Sequence, residues 1–136
     1  MSKLLERLRD PARSGVYRSS DAQAILEATR ASRLDIVTID VDPADPLGSI
    51  ARALDFPDWF GANWDALEDC LRDLSWRRGD GHVFIFAGIP DGEARGLLLD
   101  VLRSSAEYWR ARGKPFFAVL LDPAKKLGLP DLYRAA

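Results

Sequence analysis

Three apolar-rich runs frame this chain: Leu34–Val41 (LDIVTIDV), His82–Ala87 (HVFIFA) and Phe116–Leu121 (FFAVLL). Turn-forming residues bound each run, so each predicts a strand, the second and third of the continuous apolar kind that is buried. Pro43 and Pro46 close the first, the turn Arg77-Arg78-Gly79-Asp80-Gly81 precedes the second, and Pro123 breaks the third. Between them the apolar spacing turns helical. Pro46 opens a short helix carrying Leu47, Ile50, Ala51 and Leu54. Trp64, Leu67, Leu71 and Leu74 form one stripe of a second helix, which Asn63 is placed to cap. Asp91 or Gly92 precedes a long helix to Arg112, with Leu98, Val101, Leu102, Ser105 and Trp109 on its buried stripe and Gly113 as its stop. Ahead of the first strand, Leu4, Leu5 and Leu8 predict a short amphipathic helix over residues 3–9. Gly15-Val16-Tyr17-Arg18 is a brief extended candidate. Ser20 or Asp21 then caps a helix through Ala24, Ile25, Leu26 and Ala28 to about Ser32. Residues 124–136 read as a polar tail lying on the surface.

Strand, two helices, strand, helix, strand is the order of an α/β fold, and connections of this length imply parallel strands. The expectation is a small parallel sheet of three main strands, with residues 15–18 as a short extra one, packed with helices. We divide the chain into an N-terminal helical extension packed on the domain (1–33), the α/β domain (34–122) and a C-terminal tail (123–136). At 136 residues one core suffices without metal or disulfide.

The second predicted helix has an unusual polar side. Asp65, Asp69 and Asp73 stack at i, i+4 and i+8, with Glu68 and Arg72 beside them. Like charges at this spacing cost about 0.2–0.5 kcal/mol per pair, and Asp is a poor helix former, so local stability does not select this face. It is either a solvated surface or a surface kept for a partner. Charge is also unevenly spread. The formal net charge is −2, yet residues 1–33 carry seven basic and four acidic side chains, and residues 55–73 carry six acidic and one basic. The second segment favours a cationic partner and disfavours nucleic acid. Just before the helix stand Trp59 and Phe60, which as residues fit an interface and a core equally well. Trp64 belongs to the apolar stripe, and Trp76, if the helix continues so far, points to the acidic side.

The segment Pro57-Asp58-Trp59-Phe60-Gly61-Ala62-Asn63-Trp64-Asp65-Ala66-Leu67-Glu68-Asp69-Cys70-Leu71 resembles the central segment of the barstar family, intracellular inhibitors of barnase-type ribonucleases. Pro57, Gly61, Asn63, Asp65, Ala66, Leu67, Asp69, Cys70 and Leu71 match the family pattern in register without a gap. Three positions depart from it. Trp59 and Phe60 replace tyrosines, Glu68 replaces a tryptophan, and Arg72-Asp73 replaces a threonine-glycine pair. The resemblance implies a barstar-like α/β fold and a non-catalytic, immunity-type inhibitor that blocks a nuclease active site, with the acidic helix face mimicking phosphate. It implies a partner-binding set of Trp59, Phe60, Gly61, Asn63, Asp65, Glu68, Asp69, Arg72 and Asp73. Counting back from the glycine that ends the long helix adds Asp100. The resemblance makes Asp69 the expected main phosphate mimic, and Arg72 implies a target surface different from that of barnase.

Cys70 is the lone cysteine, which excludes an internal disulfide; it is either a buried small hydrophobe or a reactive thiol. His82 opens a strand, where histidine is more often structural than catalytic. Asp40-x-Asp42 resembles the strand-end pair of haloacid-dehalogenase phosphotransferases, but Pro43-Ala44 stands where that family wants Gly-Thr. No nucleotide, hydrolase or zinc-protease motif occurs. We therefore expect no enzyme, no cofactor and no metal. The charged N-terminus lacks a secretion signal and no run spans a membrane, so the expectation is a cytoplasmic protein, monomeric when free. Its expected partner is a ribonuclease or other nuclease with a cationic active site. The alternatives are a non-catalytic adaptor for a basic non-nuclease protein and, third, a phosphotransferase using Asp40 and Asp42.

Overall fold

Along the central strands, alternate side chains enter two different cores, which explains why these runs are apolar at every position. The computed structural model describes residues 2–133. In order, its elements are α1 (Lys3–Leu8), a 3₁₀ turn (Pro11–Arg13), β1 (Gly15–Ser19), α2 (Ala22–Thr29), β2 (Asp35–Asp40), α3 (Pro46–Ala53), α4 (Trp64–Asp73), β3 (His82–Ala87), α5 (Gly92–Ala111) and β4 (Phe116–Leu121). The four strands form one parallel sheet in the order β1-β4-β3-β2. The three expected main strands are joined by the short extra one, which pairs with β4 at the register Gly15↔Phe117.

Phe84 and Phe86 of β3, with Phe116, Ala118 and Leu120 of β4, face a core closed by Ile50 and Leu54, by Leu67 and Leu71 of α4, and by Leu98 and Leu102 of α5. Val83, Ile85, Phe117 and Val119 face the other core, closed by Leu4 and Leu8 of α1, Ile25 of α2 and Leu132. The sheet is thus the middle of three layers, with α4 and α5 on one side and α1 and α2 on the other. Gly88 is required where β3 ends, because its φ is +73° and a Cβ would lie 2.7 Å from the Val41 carbonyl oxygen.

The segment after β4 lies mostly on the surface, yet it is tied down as far as Leu132. Leu129 and Leu132 are buried. The Arg18 amide donates to the Pro130 carbonyl at 2.9 Å, and the Leu132 amide to the Arg18 carbonyl at 2.9 Å. The buried Arg18 guanidinium donates to the Asp122 carbonyl through Nε and Nη2 and pairs with Asp131. Two leucines suffice to seat the strap against β1. Residues 134–136 of that tail, and Met1, lie outside the described residues.

Candidate functional site

Helix α4 begins where the sequence places it. The Asn63 Oδ1 accepts the Ala66 amide at 2.7 Å, satisfying an amide that has no partner within the helix. It ends when Leu74 adopts a left-handed conformation, φ +52°, while its side chain stays buried. Leu67, Cys70 and Leu71 face the core, and Trp64 packs against it half-buried. Asp65, Asp69 and Asp73 are exposed on the opposite side. Among the described residues none of the three is in an ion pair, so the row is an uncompensated negative edge. Its field reaches inward: burial first, then the charges of Asp69 and Asp73, push the Cys70 thiol up to about 11. Cys70 is therefore a protonated core side chain, which decides between its two readings.

The aromatic residues before α4 divide. Trp59 is 57% exposed and is one of the few large apolar side chains left in solvent. Phe60 turns inward, edge-on to Phe56 at 5.0 Å, and Phe56 meets Trp76 at 5.8 Å. Trp59 leans edge-on against Trp76 at 6.3 Å, so it crowns a small aromatic cluster. Trp76 does not project to the acidic side, because α4 stops at Asp73. Its indole N–H instead donates to the Leu54 carbonyl at 2.9 Å. Gly61 is exposed, and a Cβ there would meet only ordinary contacts with Ala66 and Asn63. Asp55, Ala62 and Leu74 all hold left-handed backbone without being glycine, so the segment from α3 to the end of α4 carries local strain.

A cluster that sequence reasoning missed holds this segment from below. Arg77 donates to Asp35 through Nε at 2.7 Å and Nη2 at 3.0 Å, and through Nη1 to the Leu54 carbonyl at 3.2 Å. The Nδ1–H of His82 donates to Asp35 Oδ2 at 2.8 Å, the carboxylate being able only to accept. Burial alone would raise the Asp35 carboxyl, but the bonds from His82 and Arg77 and their charge outweigh it and lower it to about 2. Gly79 makes room for the same junction, since a Cβ there would sit 2.9 Å from the Asp35 amide. The one signal in the sequence was positional: Asp35 and His82 open adjacent strands and pair in register. His82 is thus structural.

The remaining expected residues sit toward α5. Arg72 ion-pairs with Glu68 at 3.6 Å and hydrogen-bonds the Ser104 hydroxyl. Asp100 lies one turn before Ser104, exposed, with Arg103 at 3.8 Å. At the end of β2, the Asp42 Oδ1 accepts the Ala44 amide at 2.9 Å and the Asp42 amide donates to Ser49, so Asp42 serves a turn. Among the described residues no group of three or more His, Cys, Asp or Glu could hold a metal ion. Among them, too, no helix is long and apolar enough to cross a membrane.

Comparison with known families places residues 33–121 under the model described as Barstar (barnase inhibitor). No curated protein matches the chain. The matched span, about two-thirds of the sequence, runs from just before β2 to the last residue of β4 and contains the whole of α4.

Proposed function

Because this chain belongs to the barstar family of barnase inhibitors, we propose that it binds a ribonuclease and covers the active site with the carboxylate edge of α4. The family is one of non-catalytic inhibitors. The observation that carries the reading is the row Asp65, Asp69 and Asp73, exposed, unpaired among the described residues, and fixed to a capped helix within the matched span. Carboxylates four residues apart on a helix repeat every 6 Å or so along its axis. A ribonuclease site holds phosphate with Arg, Lys and His, and charge-assisted hydrogen bonds to such a row supply the same partners without a bond to cleave. Asp69, central in the row, takes the phosphate position, and Asp65 and Asp73 flank it. Trp59 covers apolar surface beside the site, where a rigid, half-exposed aromatic is a good anchor. Phe60 backs that anchor, Asn63 fixes the helix start, and Gly61 leaves the approach to it open. Asp100 extends the acidic surface onto α5. The same charge repels RNA, so direct nucleic-acid binding is not part of the reading. On this reading the protein acts in the cytoplasm as a monomer until its nuclease arrives.

The test is titration of the purified protein into RNA-cleavage assays with a panel of barnase-type ribonucleases, barnase first, alongside direct binding measurements. The expected result is stoichiometric inhibition that Asp69→Ala weakens without lowering the melting temperature. Truncating one partner of a buried charge pair costs roughly 2–5 kcal/mol, a general scale that draws on the barnase–barstar pair itself. Binding without inhibition would favour an adaptor for a basic protein. Absence of both across the panel would overturn the proposal.

A further inference from the structure

Arg72 stands beside the carboxylate row, and by sequence it reads as a partner contact. The geometry points to another role: Arg72 and Glu68 are positioning residues that fasten α4 to α5, and they leave Asp65, Asp69 and Asp73 as the ionic edge of the interface. This inference rests on the reading of α4 as the partner-binding helix.

The Arg72 guanidinium is engaged on several sides. It hydrogen-bonds the Ser104 hydroxyl of α5, faces Glu68 at 3.6 Å, and lies over the Tyr108 ring with its carbon 5.5 Å from the centroid. Arg112 covers the same ring at 3.6 Å, so two guanidinium groups lie against Tyr108. The Arg72 Nε is buried without an acceptor, although the side chain as a whole is still 40% exposed. The adjacent residue completes the clip, since the Leu71 carbonyl accepts the Trp109 indole N–H at 2.8 Å. Two consecutive residues of α4 therefore grip one stretch of α5 from Ser104 to Trp109.

Charge follows the same division. Glu68 and Arg72 form an i, i+4 pair of zero net charge, in the favourable order of acid before base. Among the described residues the outward row has no cation of its own, and the one beside it is partly offset by Glu68. A target site therefore has less need of an acidic group opposite Arg72. What it meets is a carboxylate edge whose angle is set by α5. The short hydroxyl of Ser104 and the ring of Tyr108 become determinants of affinity although neither reaches the partner.

Ser104→Ala and Tyr108→Leu change no charge, so they test positioning separately from steering. Against barnase, or whichever ribonuclease of the panel the wild-type protein inhibits, both should raise koff about two- to tenfold, with kon and its salt dependence unchanged. Arg72→Lys keeps the charge but loses the planar fork, and should raise koff as much as Arg72→Met does. In the free protein, amide hydrogen exchange across residues 67–73 should quicken in Ser104→Ala and Tyr108→Leu while the melting temperature moves little. A direct-contact role would show instead as a large change in kon and salt slope for Arg72→Met, with Ser104→Ala and Tyr108→Leu silent. That pattern, or unchanged α4 exchange in the free variants, would overturn the inference. A wild-type protein that binds no ribonuclease would sink the inhibitor reading, whereas the exchange measurement would still decide the fastening.

Discussion

Replacing Arg77 by Met removes the cation under the candidate interface while keeping most of the side-chain volume. Arg77 is 15% exposed and its partner Asp35 10%, so the pair sits largely out of water. With the Asp35 carboxyl at about 2 instead of its usual 3.8, the cluster contributes about 2 kcal/mol at neutral pH. Removing one partner of a buried pair costs more than that, roughly 3–5 kcal/mol, because the other charge is stranded. In Arg77→Met, Asp35 keeps only the His82 bond, and the Leu54 carbonyl loses one of its two donors. For a chain of this size the expected fall in melting temperature is roughly 10–20 °C. The sign with pH is opposite in the two proteins. The folded-state Asp35 is depressed in the wild type, so its contribution is complete above about pH 4 and fades as pH falls through about 2. In the variant the carboxyl is pushed upward, so the deficit should be largest at neutral pH and shrink as Asp35 takes up a proton. Urea unfolding followed by circular dichroism at neutral pH and near pH 4 measures both. A deficit below about 1 kcal/mol, or one equal at the two pH values, would refute the role given to the cluster.

Three further outcomes are expected. Raising ionic strength from low to about 0.15 M should slow association with the ribonuclease several-fold and leave koff nearly constant; a flat kon would mean an apolar interface. Trp59→Ala should cost about 2 kcal/mol of affinity with no change in melting temperature, since the ring is mostly in solvent; equal losses in both would make Trp59 part of the scaffold. Asn63→Ala should lower stability by about 1 kcal/mol through the lost cap and weaken binding as the first turn of α4 frays, and retention of both would show the cap to be dispensable.

What the sequence made legible was local. The three main strands follow from short apolar runs between turns, and the outward direction of Asp65, Asp69 and Asp73 follows from helical spacing and the asparagine cap. What stayed hidden depended on distant partners. Arg77 finds Asp35 at 42 residues' separation and His82 finds it at 47, so no window of sequence joins them. Arg72 had local carboxylates to choose from, and only the placement of α5 turns it to Ser104. The condition set for Trp76 is not met, because Leu74 ends the helix in a conformation usually signalled by glycine. The strand at residues 15–19 is short, and nothing near it announces β4 as its neighbour.

That neighbour relation bears on how the chain can be cut. β4 lies between β3 and β1, and the stretch Phe116–Leu121 is fully apolar on both faces. A fragment spanning residues 34–122 retains the acidic helix but removes the strand that covers one side of β4, together with the strap that follows it. The backbone of FFAVLL would then become an open, uncharged sheet edge, with nothing to deter a second chain from adding to it. The N-terminal third thus supplies the one strand that closes this edge, for a sheet whose most cohesive strand comes last.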